Sequence, residues 1–188
     1  MNDLDRYNHC SYCACKFDLK TKEATTKICN NCKNITYDNP IPVVIAMIPL
    51  ITDIPLDDDI KSSFAKSMLV IKRGIEPHIG RWALPGGFME KHETWEETAK
   101  RELFEETGIV TNSNNFKLHS VKTAANGNLL IFGLNRSFFS LKESKAVFKP
   151  NREVTEIGGV IEGYNNTMAN WNLAFPTHTE AVLEYFKR

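Results

Sequence analysis

One stretch constrains this chain more than any other: Gly87 to Ile109, GFMEKHETWEETAKRELFEETGI. Its local signals run loop, helix, stop. Thr94 is a helix-capping residue type, and Glu97 three positions on completes a capping box. Residues 95 to 107 contain neither Gly nor Pro. Gly108 then stands where helices commonly end in a left-handed residue. At about 100° per residue, Glu102, Glu105 and Glu106 share one face. Ala99 and Leu103 lie beside them and can pack inward.

Such a face is electrostatically poor by itself. Like charges at i, i+3 and i+4 repel, and they occupy the half of the helix where the macrodipole is already negative. From Glu90 to Glu106 seven acids face three bases. Cations seated on the cluster would relieve it. Hard oxygen ligands with open coordination sites suit Mg²⁺ or Mn²⁺.

The pattern is longer than an acidic helix face requires. The segment resembles the Nudix box, G-x5-E-x7-R-E-U-x-E-E-x-G-U with U apolar, at every specified position. A chance match of seven identities and two apolar positions is on the order of 10⁻⁷. That is too small for the usual explanation of a Glu-rich helix, a solvated surface.

A second signal lies at the N-terminus. All five cysteines fall within the first 40 residues. Cys10-x2-Cys13 and Cys29-x2-Cys32 are separated by fifteen residues, the spacing of a Cys₄ zinc site. Two CxxC turns each present two thiolates to a tetrahedral ion. About 40 residues bury too little surface to fold alone, so Zn²⁺ would supply the stability. Cys15 and His9 break the paired spacing and are read as structural or idle. Residues 1–38 are therefore expected to form a zinc ribbon and 39–188 a second domain.

At the junction, Tyr37-Asp38-Asn39-Pro40 reads as a turn and linker. Val43 to Ile51 is an apolar run consistent with one buried strand. Residues 52 to 66, with Asp57-Asp58-Asp59, read as a solvated hairpin excursion, and Ser67 to Lys72 as the returning strand. Gly86 and Gly87 allow close backbone approach, so a carbonyl there could reach a metal on the glutamate helix. Trp82 is either core or a wall of a substrate cleft. His78 and His92 read as surface or hydrogen-bonded histidines. Phe116 to Thr123 and Leu129 to Leu141 alternate as strands around the hairpin signal Asn126-Gly127-Asn128. Residues 142 to 168 read mainly as loop, with a short strand over Val154 to Ile161. Pro176 to Arg188 predicts an amphipathic helix burying Ala181, Val182, Leu183, Tyr185 and Phe186. Trp171 and Phe175, just before it, either contact a base or pack.

The spacing of Lys72-Arg73 and Gly80-Arg81-Trp82 also resembles Nudix hydrolases. With the ribbon and the NP-containing linker, the chain resembles the subgroup holding ADP-ribose and FAD pyrophosphatases. NADH pyrophosphatases share the order of parts but carry an SQPWW signature after the box, absent here. The resemblance implies an α/β/α sandwich with a mixed sheet, and hydrolysis of a diphosphate joining a nucleoside to another moiety. It implies Mg²⁺ or Mn²⁺ on Glu102, Glu105, Glu106 and the Gly86 carbonyl. It implies catalytic roles for Glu102, Glu105, Glu106, Arg101, Glu93 and Glu156, and substrate contacts from Arg73, Trp82 and Gly87. Arg101 is expected to orient a carboxylate such as Glu93. The general base is open among Glu102, Glu153 and Glu156. Alternatives are an NADH pyrophosphatase, or a non-catalytic nucleotide sensor whose ribbon contacts a partner or nucleic acid. A homodimer is among the states the resemblance implies.

Composition narrows the setting. Of 188 residues 42% are hydrophobic, enough for a real core, and the net charge is zero. That balance argues against a strongly basic nucleic-acid footprint. No apolar run is long enough for a membrane span. The first ten residues lack the apolar centre of a signal peptide, so the expected compartment is the cytoplasm, with a nucleotide-linked small molecule as partner.

Overall fold

The computed structural model describes residues 8–17, 26–37, 39–51, 66–162 and 173–187. The Asp57-Asp58-Asp59 excursion and Trp171 lie outside the described residues. The chain divides into two units, Met1–Pro40 and Ile41–Arg188.

In the first unit, β1 (Thr26–Ile28) pairs antiparallel with β2 (Ile35–Tyr37). Each cysteine pair sits on a tight turn of the same design. The Ala14 N–H donates to the Cys10 carbonyl at 2.9 Å, and the Lys33 N–H to the Cys29 carbonyl at 2.9 Å. Ala14 and Lys33 both take the left-handed conformation, φ 56° and 63°. That turns each chain so that the amides of the knuckle face its sulfurs.

The apolar run after Pro42 forms two strands rather than the single one expected. β3 (Pro42–Met47) ends, and β4 (Pro49–Ile51) begins in a different sheet. Pro49 has no N–H to continue the first ladder, and it stands at the start of the new strand, where proline is tolerated. One sheet has the order β7-β3-β9-β8, built from β7 (Gly86–Phe88), β8 (Phe116–Thr123) and β9 (Leu129–Asn135) with β3. The other has the order β10-β4-β5-β11, from β5 (Ser67–Arg73), β10 (Phe139–Ser140) and β11 (Val154–Ile161) with β4; β6 (Trp82–Ala83) pairs with β5. β3 runs parallel to β9 and β10 parallel to β4, so both sheets are mixed.

Helices cover both faces. Along β3 and β5, Val44, Ala46, Leu69 and Ile71 join Ala99 and Leu103 of α1 (Trp95–Thr107) in one core. The alternate residues Ile45, Met47, Met68 and Val70 join Ala181, Val182 and Phe186 of a C-terminal helix, Pro176–Phe186, in the other. Burial on both faces explains why these strands read as continuous apolar runs rather than alternating ones. The expected sandwich of helices around mixed sheet is present.

Three further expectations need correction. The run Leu129 to Leu141 is not one strand: β9 stops at Asn135, whose Oδ1 accepts the Ser137 N–H at 2.9 Å and turns the chain. Among the described residues, the segment after it is not mainly loop. Leu141–Val147 is a helix, α2, capped by Ser140, whose Oγ accepts the Glu143 N–H at 3.3 Å. Ser140-x-x-Glu143 was a legible cap signature. The C-terminal helix, α3, ends at Phe186; Leu183 and Tyr185 are only half-buried, while His178 and Thr179 are buried. Among the described residues no helix is long and apolar enough to cross a membrane.

Candidate active site

The site grows from the first turn of α1. The Thr94 side chain accepts the Glu97 N–H at 3.2 Å, and the Glu97 carboxylate accepts the Thr94 N–H at 2.8 Å, so the capping box is closed at both ends. At the other end Gly108, φ 75°, donates its N–H to the Phe104 carbonyl at 2.8 Å. Ala99 and Leu103 are fully buried against β3. With the inward side thus set, the faces carrying Arg101, Glu102, Glu105 and Glu106 have no rotational freedom left.

Arg101 organises the carboxylates. Its Nε and Nη2 donate to the two oxygens of Glu93 at 2.7 and 3.0 Å. Nη1 donates to Glu102 at 2.6 Å and to Glu105 at 3.2 Å, and Nη2 also donates to the Phe88 carbonyl at 3.0 Å. The planar guanidinium is built for such forked contacts. Its hydrogen bonds to Glu93 hold that carboxyl down at about 2. Arg101 is itself held charged more firmly than usual.

Glu106 is different. It is buried, and its Oε2 accepts the Gly86 N–H at 2.8 Å. Burial pushes its pKa up to about 8, against the Gly86 hydrogen bond and with the help of the Glu102 and Glu153 charges. Burial also raises Glu102, opposed by Arg101 and aided by Glu105 and Glu153. The Glu102 carboxylate lies against Gly87, where a Cβ would stand 2.5 Å from its Cδ. A side chain at 87 would therefore have to push the Glu102 carboxylate aside. Gly86 has φ 153°, and a Cβ there would strike the Val44 carbonyl.

The remaining candidates lie around this core. Glu153, just before β11, contributes charge to both Glu102 and Glu106. Glu156, on β11, is drawn instead to Lys72 at 3.2 Å. Arg73 donates to the Pro77 carbonyl at 2.7 Å and lies 5.2 Å from the Phe175 ring centroid. Trp82 is half-buried, packs over Gly158, and has the Lys72 ammonium 5.6 Å from its ring. His78 and His92 both take positive φ, 65° and 76°, in exposed turns. His178, which no sequence signal marked as more than a helix residue, is buried and accepts the Leu84 N–H at 3.1 Å. Its spacing to Ala181 and Val182, i+3 and i+4, places it on the inward side of α3.

The residues fit a hard divalent cation. The donors are carboxylate oxygens, Glu106 is buried beside other acids and ionises only against that burial, and glycines leave room at the cluster. Among the described residues the carboxylates are not gathered as tightly as the thiols of the first unit. There Cys10, Cys13, Cys29 and Cys32 place all four sulfurs within 4.8 Å of one another. The Cys10–Cys32 and Cys13–Cys29 distances are both 3.6 Å. Tetrahedral Zn–S bonds of 2.3 Å put sulfurs about 3.8 Å apart, so the cage matches that ion. Knuckle amides lower the thiol pKa of Cys10, Cys13 and Cys29. Cys32, in spite of the Asn34 N–H, is pushed up to about 12 by burial and its three neighbours. Four thiolates this close call for a cation.

A family model described as NUDIX domain matches residues 57–154. An ADP-ribose pyrophosphatase of Methanocaldococcus jannaschii is 54% identical over 43 residues, 23% of this chain and 25% of that protein. The chain thus spans about a quarter of the length of that curated relative. The fold is similar to the crystal structure of a NUDIX hydrolase from Nitrosomonas europaea: TM-score 0.69, 22% identity, 96% of this chain and 90% of that one. It is also similar to the NUDIX domain of Shewanella oneidensis NrtR in complex with ADP ribose: TM-score 0.58, 18% identity, 81% of this chain and 90% of that one.

Proposed function

The chain belongs to the Nudix family, and from that premise we propose that it hydrolyses a diphosphate joining a nucleoside to another moiety, with ADP-ribose or FAD the first substrates and AMP one product. The observation that carries the reading is the pair of contacts between α1 and the two glycines of β7. Glu106 is pinned by the Gly86 N–H, and Glu102 lies flat against Gly87. Two carboxylates are thereby held at a fixed place on a backbone that can approach a ligand closely. The partial match to an ADP-ribose pyrophosphatase and the ADP-ribose complex of a similar fold support the substrate class.

Glu102, Glu105, Glu106 and the Gly86 carbonyl would hold Mg²⁺ or Mn²⁺. Such ions neutralise a diphosphate, acidify a bound water and stabilise the leaving oxygen. The protein's own residues do the positioning. Arg101 fixes Glu93 and Glu102 in orientation and keeps Glu93 ionised. Glu106, buried and pinned, cannot swing into solvent. Glu102, Glu153 and Glu156 are the candidates to accept the proton of the attacking water; Glu102 and Glu153 share one charged environment, while Glu156 is paired to Lys72. Trp82 and Arg73, on either side of the Gly74–Arg81 turn, would line the nucleotide cleft. Catalysis of this kind is mostly alignment and electrostatics. The four cysteines of the first unit would hold one structural Zn²⁺.

A substrate panel tests the reading: ADP-ribose, FAD, NADH, diadenosine polyphosphates and nucleoside triphosphates with Mg²⁺, compared by kcat/KM. AMP release from ADP-ribose or FAD at the highest kcat/KM is the expected result. A preference for NADH would move the substrate assignment. Tight nucleotide binding with no turnover of any compound would replace the enzyme by a sensor.

A further inference from the structure

One buried imidazole lies against the Leu84–Gly87 segment and has no part in the scheme above. His178 sits in the first turn of α3, and its Nδ1 accepts the Leu84 N–H at 3.1 Å. Its ring is edge-on to Phe132 at 5.7 Å and tilted to Phe175 at 5.0 Å, so aromatic packing sets the ring plane. The segment leading into α3 holds the strand before Leu84. Leu173 bridges Trp82, and the Ala174 N–H donates to the Trp82 carbonyl at 2.7 Å.

Successive backbone groups from Leu84 into β7 are held by three different elements, with Gly86 and Gly87 also paired to Ile45 and Val44 of β3. The Leu84 N–H goes to His178 of α3. The Pro85 carbonyl accepts the Ala46 N–H of β3 at 2.8 Å. The Gly86 N–H goes to Glu106 of α1 at 2.8 Å. α1 and α3 belong to opposite cores, so the segment is gripped from both faces of the sheet.

We propose that His178 is a positioning residue for the Leu84–Pro85 segment that leads into β7, seating Gly86 and Gly87 against Glu102 and Glu106 and thereby setting kcat. The proposal rests on the function proposed above. An accepting Nδ1 needs a neutral ring with its proton on Nε2. Burial, with the Arg73 charge nearby, keeps the imidazole pKa down at about 3, so that acceptor persists at neutral pH. Displacing a catalytic group by about 1 Å is enough to cost about 100-fold in rate.

The test compares the full-length wild type with His178→Leu and His178→Asn. Asn places an acceptor close to the Nδ1 position; Leu has none. Two readouts are taken: Leu84 amide exchange by NMR without added Mg²⁺, and ADP-ribose hydrolysis with it. In His178→Leu, Leu84 exchange should quicken by about tenfold or more. Its kcat should fall by about 100-fold while KM moves less than about threefold. His178→Asn should recover most of both. Unchanged Leu84 protection in His178→Leu, or equal impairment of Asn and Leu variants, overturns the proposal. Should the Leu variant not fold, His178→Gln, whose acceptor reaches the Nε2 position instead, takes its place. Equal kcat for Asn and Gln then overturns it. A wild type that hydrolyses no member of the panel sinks the proposed function, and the exchange measurement still decides the anchoring of the segment.

Discussion

Glu106 accepts the Gly86 N–H at 2.8 Å across twenty positions of sequence, and it does so while buried. Its pKa stands at about 8 rather than near 4.5. The folded state therefore holds a proton that the unfolded chain releases above about pH 4.5. Stability falls as pH rises from there to about 8, at most by about 1.4 kcal/mol per pH unit. Glu106→Gln is neutral at every pH and keeps an acceptor for Gly86. In buffer without Mg²⁺ or chelator, Glu106→Gln should melt above the wild type at pH 8 and alongside it at pH 4.5. With Mg²⁺, Glu106→Gln and Glu105→Gln should each lose turnover by orders of magnitude. Wild-type rates in both variants would remove the assigned metal role.

Gly87 supplies a second test. A Cβ there would stand 2.5 Å from the Glu102 carboxyl carbon and oxygen, too near for any real contact. Gly87→Ala should displace that carboxylate and lower kcat by about 100-fold. Gly127, φ 86° in the β8–β9 hairpin with open space around it, is the control. Gly127→Ala should cost about 1 kcal/mol of stability and leave kcat unchanged. Chemical denaturation and steady-state kinetics separate the two.

The grip of Arg101 on Glu93 depends on a planar fork. Arg101→Lys keeps the charge but cannot make the 2.7 and 3.0 Å pair together with the contacts to Glu102 and Phe88. A loss of about 1–2 kcal/mol is expected, since both partners remain partly open to water. Glu93 has a depressed pKa, about 2. Its contribution is present above about pH 4.5 and disappears as pH falls toward 2. Melting curves of wild type and Arg101→Lys should therefore converge in acid. Parallel curves down to pH 2 would show that Glu93 does not carry the difference.

The first unit makes a prediction about metal content. Purified protein should carry about one zinc per chain by elemental analysis. Cys13→Ser or Cys29→Ser should lose it, because each removes one corner of the four-sulfur cage. Cys15→Ser should retain it, since Cys15 lies outside that cage. Zinc-free native protein, or an iron signal, would overturn the assignment.

Local signals carried much of this architecture. The capping box at Thr94, the stop at Gly108 and the inward stripe of Ala99 and Leu103 are consequences of short-range geometry, and α1 forms where they place it. The paired CxxC spacing likewise brings four sulfurs together, because each knuckle is a closed turn of four or five residues. Strand breaks were less legible. Pro49 divides an apolar run that periodicity alone reads as one strand, and the Asn135 turn ends β9 inside another.

What the amino-acid order determined by itself was the set of carboxylates on one helical face, since a 3.6-residue turn fixes which side chains are neighbours. Only the tertiary structure decided what each would be. Burial separates Glu106 from Glu105, and the residue before β11 brings the Glu153 charge to the cluster while Lys72 takes Glu156. His178 reaches Leu84 from 94 residues away. Such roles depend on desolvation and on partners brought from distant segments, and neither exists until the chain has folded.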